Sequence, residues 1–374
     1  MKIVAVKAYL VKPPKRQSWL SSTVIANPMS IHPKYYAQRS SWNGPAQAGI
    51  VVEITTDEGI VGYGQGGGGP VGKEIVEGHL SRFLLGEDPF NVELLWDQMF
   101  RGTLPYGRKG VAIHAISGCD LALWDVIGKA KGEPVWRLIG GRTKDRIPAY
   151  ATGNETALYK SRGFTRNKLA MPHGPIDGWD GMKKNVELIA RTREILGPDG
   201  EIMLDCYMAW DVEYTLRMAE LIEPYRVRWI EEVLPPDDFD GYAELRQKVR
   251  HTAIATGEHE YTRWGHLELL KRRAVDILQP DIHWVGGITE MKKVIALAAA
   301  HNVPVIPHAG GTSAGGLAVI TSSMSCPMAE VVVVDDPDER PQLWLGLPQP
   351  KDGYIVPPEK PGLGVELNRE LLVD

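Results

Sequence analysis

Cysteine is scarce in this chain: Cys119, Cys206 and Cys326 are the only three among 374 residues, and they lie far apart. They make neither a disulfide framework nor a paired zinc-ligand pattern, so a reducing, cytoplasmic setting is expected. Neither sign of charge dominates. Lys and Arg number 42 against 47 Asp and Glu, the formal net charge is −5 and the pI is near 6.1. No basic run interleaves with aromatics, which argues against a nucleic-acid partner. The N-terminus, Met1-Lys2-Ile3-Val4-Ala5-Val6, reads as a strand rather than a signal-peptide core. No stretch reads as apolar for the length a membrane span needs, so no membrane partner is expected. The four glycines at 66–69 lack the Lys-Ser/Thr of a P-loop and the spacing of a dinucleotide fingerprint. They are expected to form a flexible turn.

What is present is globular composition, 24% charged and 43% hydrophobic, in a length suited to a barrel plus a smaller domain. Residues 1–12 and 49–64 read as strands of one small antiparallel sheet, with Asp57-Glu58-Gly59 as the hairpin turn. The polar, proline-bearing stretch near 13–47 reads as a long loop of the kind that covers a binding site. Residues 71–140 read as helices; His114 and Asp120 fall on one of them and are expected to make structural contacts. From 146 onward, short apolar runs alternate with helical patterns. Strands are predicted at 146–152, 164–170, 201–206, 227–232, 252–257, 275–279, 303–307 and 329–334. The fold class is therefore α/β, a (β/α) barrel over about 143–345, preceded by an α+β capping domain over 1–142. The Gly- and Pro-rich tail, 346–374, is expected to run back over the first domain.

Three of these strands end in a carboxylate: Leu204-Asp205, Ile230-Glu231 and Gly257-Glu258. Singly, each would read as a helix N-cap. Together they recur in steps of 26 and 27 residues, from 205 to 231 to 258, the length of one strand plus one covering helix. Parallel strands bring such ends to one mouth. Three anions there repel unless a cation sits among them, and an all-oxygen set suits a hard ion such as Mg²⁺. The period continues through Asp281, His308 and Glu330. His308 beside Asp281 would form a dyad in which the carboxylate orients and supports the imidazole. Cys206, next to Asp205, should point away from the mouth because side chains alternate along a strand.

The residues Cys119-Asp120-Leu121-Ala122-Leu123-Trp124-Asp125, Gly128-Lys129, Leu138-Ile139-Gly140-Gly141, Trp229-Ile230-Glu231-Glu232, Gly257-Glu258, Gln279-Pro280-Asp281, Gly286-Gly287 and Pro307-His308 resemble the enolase superfamily, mandelate racemase subgroup. Within it, Leu204-Asp205-Cys206-Tyr207-Met208, Glu231-Glu232-Val233-Leu234-Pro235-Pro236, Gly257-Glu258-His259 and Pro361-Gly362-Leu363-Gly364-Val365-Glu366 are similar to rhamnonate dehydratases. The resemblance implies Mg²⁺ on Asp205, Glu231 and Glu258, a His308–Asp281 dyad, and a distal acid at Glu330. It also implies a homo-oligomer. The substrate loop of that family carries a histidine shortly before a tryptophan; here the place reads Arg16-Gln17-Ser18-Trp19. Arg39 matches the loop's arginine. Arg39, Trp19 and His259 are the expected substrate contacts.

Removing a proton α to a carboxylate at neutral pH requires positive charge where the enediolate develops. Histidine, with a reference pKa near 6.5, is suited to the transfer. Related racemases place a Lys-x-Lys pair at the second strand; here the stretch is Arg166-Asn167-Lys168-Leu169-Ala170, with one lysine only. The expectation is a single acid/base centre, His308, in a dehydratase of a small sugar acid. Lys168 is expected to neutralise charge near the substrate carboxylate, and Glu330 to hydrogen-bond that carboxylate in protonated form. An epimerase, a dehydratase for another acid sugar, or a non-catalytic sugar-acid-binding barrel stand as the competing readings.

Overall fold

The computed structural model describes residues 1–12, 25–35, 48–332 and 342–373. The first domain is built on an antiparallel sheet of β1 (Ile3–Val11), β2 (Ile50–Thr56) and β3 (Val61–Gly66). Gly59, at φ +80°, lets the predicted turn close. Two long helices cover the sheet, α1 (Val92–Thr103) and α2 (Val111–Lys131). Gly62, Gly64 and Gly66 alternate along β3 and lie against α2. A Cβ on Gly64 would fall 2.1 Å from the carbonyl oxygen of Gly118, and one on Gly66 2.5 Å from that of His114. The run at 66–69 is thus not a flexible turn. All four glycines are buried, and Gly69 opens a short helix, Gly69–Ile75. The expectation that no stretch is apolar over a membrane-spanning length also needs correcting. Helix α2 meets that test by length and composition, but it is buried on nearly every side as the core helix of this domain.

The second domain alternates strand and helix: β4 (Ile147–Thr152), β5 (Arg166–Ala170), α3 (Gly178–Leu196), β6 (Glu201–Asp205), α4 (Val212–Ile222), β7 (Trp229–Glu231), α5 (Phe239–Lys248), β8 (Ala253–Thr256), α6 (Thr262–Lys271), β9 (Ile277–Leu278), α7 (Gly287–Ala300), α8 (Ala314–Ser322) and β10 (Ala329–Val332). The strands are parallel and ordered β10-β4-β5-β6-β7-β8-β9. Seven of the eight predicted strands form, each within the predicted range. The eighth, 303–307, is held only by isolated parallel bridges, Leu278 to Val305 and Asp281 to His308. Pro304 and Pro307 explain this, because neither has an N–H to donate to a ladder.

Alternation sorts the side chains into two cores. Ile202, Leu204, Cys206, Ile230, Ile254 and Leu278 face outward into the layer beneath the helices. Cys206 lies there, as expected. Tyr150, Met203, Trp229, Ala255, Ile277 and Ile306 fill the interior. A separate cluster lies between the first sheet and α1 and α2. In the tail, β11 (Tyr354–Ile355) pairs antiparallel with β4, and β12 (Leu372–Val373) pairs antiparallel with β1.

Candidate active site

Asp205 and Glu231 are the last residues of β6 and β7 and are paired in register. Glu258 follows β8 by two residues, after Gly257 at φ +132°. Each of the three acids offers an oxygen lying within 4.8 Å of the others. Burial pushes all three carboxyls above their ordinary range, Glu231 to about 7. Glu258 Oε2 is buried and has no hydrogen-bond partner. An orphaned buried carboxylate oxygen facing two more acids is costly unless a cation takes it, and the donor set is that of a hard divalent ion. A second grouping, Glu232, Glu258 and His259, has similar spacing. There the side chains already satisfy one another: His259 Nδ1 lies 2.7 Å from Glu232 Oε2. Burial lowers the His259 pKa, but Glu232 overrides it and raises it to about 9.

His308 also lies beside Glu258, with Nε2 3.6 Å from Glu258 Oε2. Its Nδ1 lies 2.7 Å from Asp281 Oδ2. With Nδ1–H donating to Asp281, Nε2 is the nitrogen free to accept a proton. Asp281 is itself fixed, since Oδ1 accepts the backbone N–H of His283 at 2.6 Å. Burial would raise the Asp281 carboxyl; the His308 hydrogen bond and the charges of His283 and His308 hold it below its ordinary range. Burial lowers the His308 pKa, but the Glu258 charge and the Asp281 hydrogen bond raise it well above normal, so Nε2 would become the accepting nitrogen once a cation takes up the Glu258 charge.

Lys168 and Glu330 lie deeper than expected. Both side chains are fully buried. Lys168 Nζ bonds to Glu231 Oε1 and lies 2.8 Å from Glu330 Oε1 and 3.4 Å from Asp205 Oδ2. It pairs with these acids from inside the barrel. Glu330 Oε1 also accepts the Thr152 hydroxyl at 2.5 Å, and Oε2 accepts the backbone N–H of Ala309 at 2.7 Å. Burial alone would raise its pKa, but the charges of Lys168 and His308 bring it down to about 2. The expected protonated Glu330 is therefore corrected: its oxygens serve as acceptors within the protein, and it is ionised.

Arg39 and Trp19 lie outside the described residues. Three nearby residues were given no role by the sequence reading, although Glu232 and Gln279 stand in its motifs. Gln279 Nε2 donates to Glu231 Oε2 at 2.6 Å. Glu232 pairs with His259. The Trp284 ring packs against His308 and His259, with centroids 5.3 and 5.2 Å away. Gln279 was visible by alternation, two residues after the inward-facing Ile277.

Residues 153–371 match the enolase C-terminal domain-like family, and 21–140 match the mandelate racemase / muconate lactonizing enzyme N-terminal domain. An L-rhamnonate dehydratase from Saccharopolyspora erythraea is 42% identical over 94% of this chain and 91% of its own length. The crystal structure of rhamnonate dehydratase from Gibberella zeae complexed with Mg superposes with a TM-score of 0.94 at 40% identity, covering 100% of this chain and 96% of that one. That of the 3,6-anhydro-D-galactonate cycloisomerase from Zobellia galactanivorans gives 0.81 at 28% identity, covering all of both chains. Matched along both domains, and with acids at three successive strand ends, the chain belongs to the mandelate racemase subgroup of the enolase superfamily.

Proposed function

We propose that this chain is a Mg²⁺-dependent hydro-lyase that dehydrates a monocarboxylic sugar acid of the rhamnonate type to a 2-keto-3-deoxy acid. The observation that carries the reading is one imidazole, His308, with an accepting Nε2 over the three-acid cluster and no second base at the matching strand end. At the end of β5 stands Ala170, paired in register with Asp205. A methyl group cannot shuttle a proton, which disfavours a racemase with bases on both faces. Asp205, Glu231 and Glu258 would hold Mg²⁺, which supplies positive charge to the substrate carboxylate as negative charge builds there.

His308 Nε2 takes the α-proton, and the C–H electron pair becomes the enediolate. Asp281 stabilises the imidazolium so formed. His308 then returns the proton to the β-hydroxyl on the same face. The β-carbon–oxygen bond breaks, water departs, and the enol product tautomerises to the 2-keto acid. Lys168 pairs with Glu231 and Glu330, holding both in place and Glu330 ionised. We assign substrate selection to Arg39 and Trp19, and to His259 beside Glu258.

The relatives' rhamnonate dehydratase activity and the three-acid cluster support this reading. It is tested by screening acid sugars for keto-acid formation with and without EDTA, together with His308→Asn. Dehydration and α-deuterium exchange should both vanish in the variant. Exchange that survived would assign the base elsewhere, and solvent deuterium in returned substrate without keto acid would favour the epimerase.

A further inference from the structure

Asp281 begins a turn, 281–289, that leads into α7, and the residues that hold this turn come from the other domain. Trp284 and Val285 N–H groups bond back to the Asp281 carbonyl at 3.1 and 2.8 Å. Gly286 N–H donates to Ser117 Oγ at 2.9 Å, and the Gly286 carbonyl accepts from Trp96 Nε1 at 2.8 Å. Thr289 N–H donates to Asp120 Oδ2 at 3.0 Å, and its hydroxyl accepts from Trp124 Nε1 at 2.9 Å. His114 stacks on the Trp284 ring at 5.6 Å and 24°. His114, Ser117, Asp120 and Trp124 are spaced three to four residues apart, so they share one face of α2.

The turn has almost no freedom against that face. A Cβ on Gly287, at φ +77°, would lie 2.4 Å from Asp120 Oδ2. Asp120 also meets the N-terminus of α7, where orphan N–H groups favour an acceptor. Ser117 and Asp120 are buried and contact neither the acids at the strand ends nor the imidazole. What they fix is the backbone that carries Asp281 and, through Trp284, the face of the His308 ring.

We infer that Ser117 and Asp120 are positioning residues for the reaction: the capping-domain helix α2, rather than the barrel alone, sets the Asp281–His308 geometry through the 281–289 turn. This rests on the dyad's role proposed above. A small displacement of a proton-transfer group is expensive in rate while leaving ground-state binding nearly unchanged.

The test compares Asp120→Leu, Asp120→Asn and Ser117→Ala in the full-length enzyme loaded with Mg²⁺. Asp120→Leu should lower kcat on the order of 10- to 100-fold with KM moved by less than about threefold. Asp120→Asn, which keeps an acceptor for Thr289 N–H, should restore most of it. Ser117→Ala, the milder change, should show the same split if Asp120→Leu fails to fold. A second readout needs no turnover: the downfield proton resonance of His308 Nδ1–H, assigned by its loss in His308→Asn, should shift or broaden in Asp120→Leu and Ser117→Ala. Wild-type kcat and an unmoved resonance in folded Ser117→Ala and Asp120→Leu would overturn the inference, as would a loss confined to melting temperature. If the wild type dehydrated no sugar acid, the proposed function would fall, while the resonance would still decide whether α2 positions the dyad.

Discussion

Replacing Lys168 with methionine, similar in length and uncharged, tests whether the interior cation holds the acid cluster together. The ammonium is fully buried and contacts Glu231, Glu330 and Asp205. Removing one partner of a buried ion pair costs about 3–5 kcal/mol, because the remaining charge is stranded. Glu330 gives an independent measure. Its folded pKa of about 2, against an ordinary value of 4.5 in the unfolded chain, amounts to about 3 kcal/mol of stability. The folded pKa is depressed, so this contribution is fully present above about pH 4.5 and drains away as pH falls toward 2. In Lys168→Met the same carboxyl has lost its largest stabilising charge and is protonated more readily in the folded state. Urea unfolding in Mg²⁺ buffer should therefore show the variant about 3–5 kcal/mol less stable at pH 7, with the gap narrowing by about 2 kcal/mol at pH 3. Equal midpoints at pH 7, or a gap that does not change with pH, would refute the assignment of Lys168 as the partner that keeps Glu330 ionised.

Asp281→Asn preserves the shape but removes the negative charge that orients and supports His308, and should lower kcat on the order of 10²- to 10⁴-fold with the fold intact by circular dichroism. Glu258→Gln should abolish tight Mg²⁺ binding by calorimetry and activity with it, since the orphaned Oε2 becomes part of a neutral amide. Gly287→Ala places a methyl into Asp120 at a positive φ and should lower stability by about 1–3 kcal/mol in chemical denaturation.

The barrel was legible because strand and helix repeat at a nearly constant length, and because six successive predicted strands, from the one at Asp205 to the one at Glu330, each carry a titratable group. Asp205, Glu231, Glu258, Asp281 and His308 converge as the period implied. The closing segment was misjudged on information already in the chain. Val303-Pro304-Val305-Ile306-Pro307 is apolar enough for a strand, but two missing N–H donors limit it to bridges. The glycines at 66–69 were misjudged for a different reason. Composition suggests flexibility, whereas Gly66, with Gly62 and Gly64, lets β3 approach the backbone of α2, and Gly69 opens a helix; only the partner elements reveal that.

Lys168 shows where reading along one strand stops. Alternation correctly assigns Lys168, Asp205 and Glu231 to the inner face. It says nothing about depth, which depends on the register between strands. In register, Ala170 pairs with Asp205 and Asp205 with Glu231, whereas Lys168 pairs with Met203 and Met203 with Trp229. Lys168 thus belongs to the layer of the plug residues, one level below the acids, and its long stem carries the ammonium up beneath them. A residue with the same charge one pleat higher, at 170, would face the mouth and the substrate. The difference between a buried counter-ion and a second acid/base group is therefore a shift of two residues on one strand, which makes Ala170→Lys the complementary experiment. If a single acid/base centre limits this enzyme to elimination, Ala170→Lys should return substrate epimerised at the α-carbon and carrying solvent deuterium. Recovered substrate without the α-epimer, in a folded variant that still binds Mg²⁺, would mean that position 170 does not face the α-carbon.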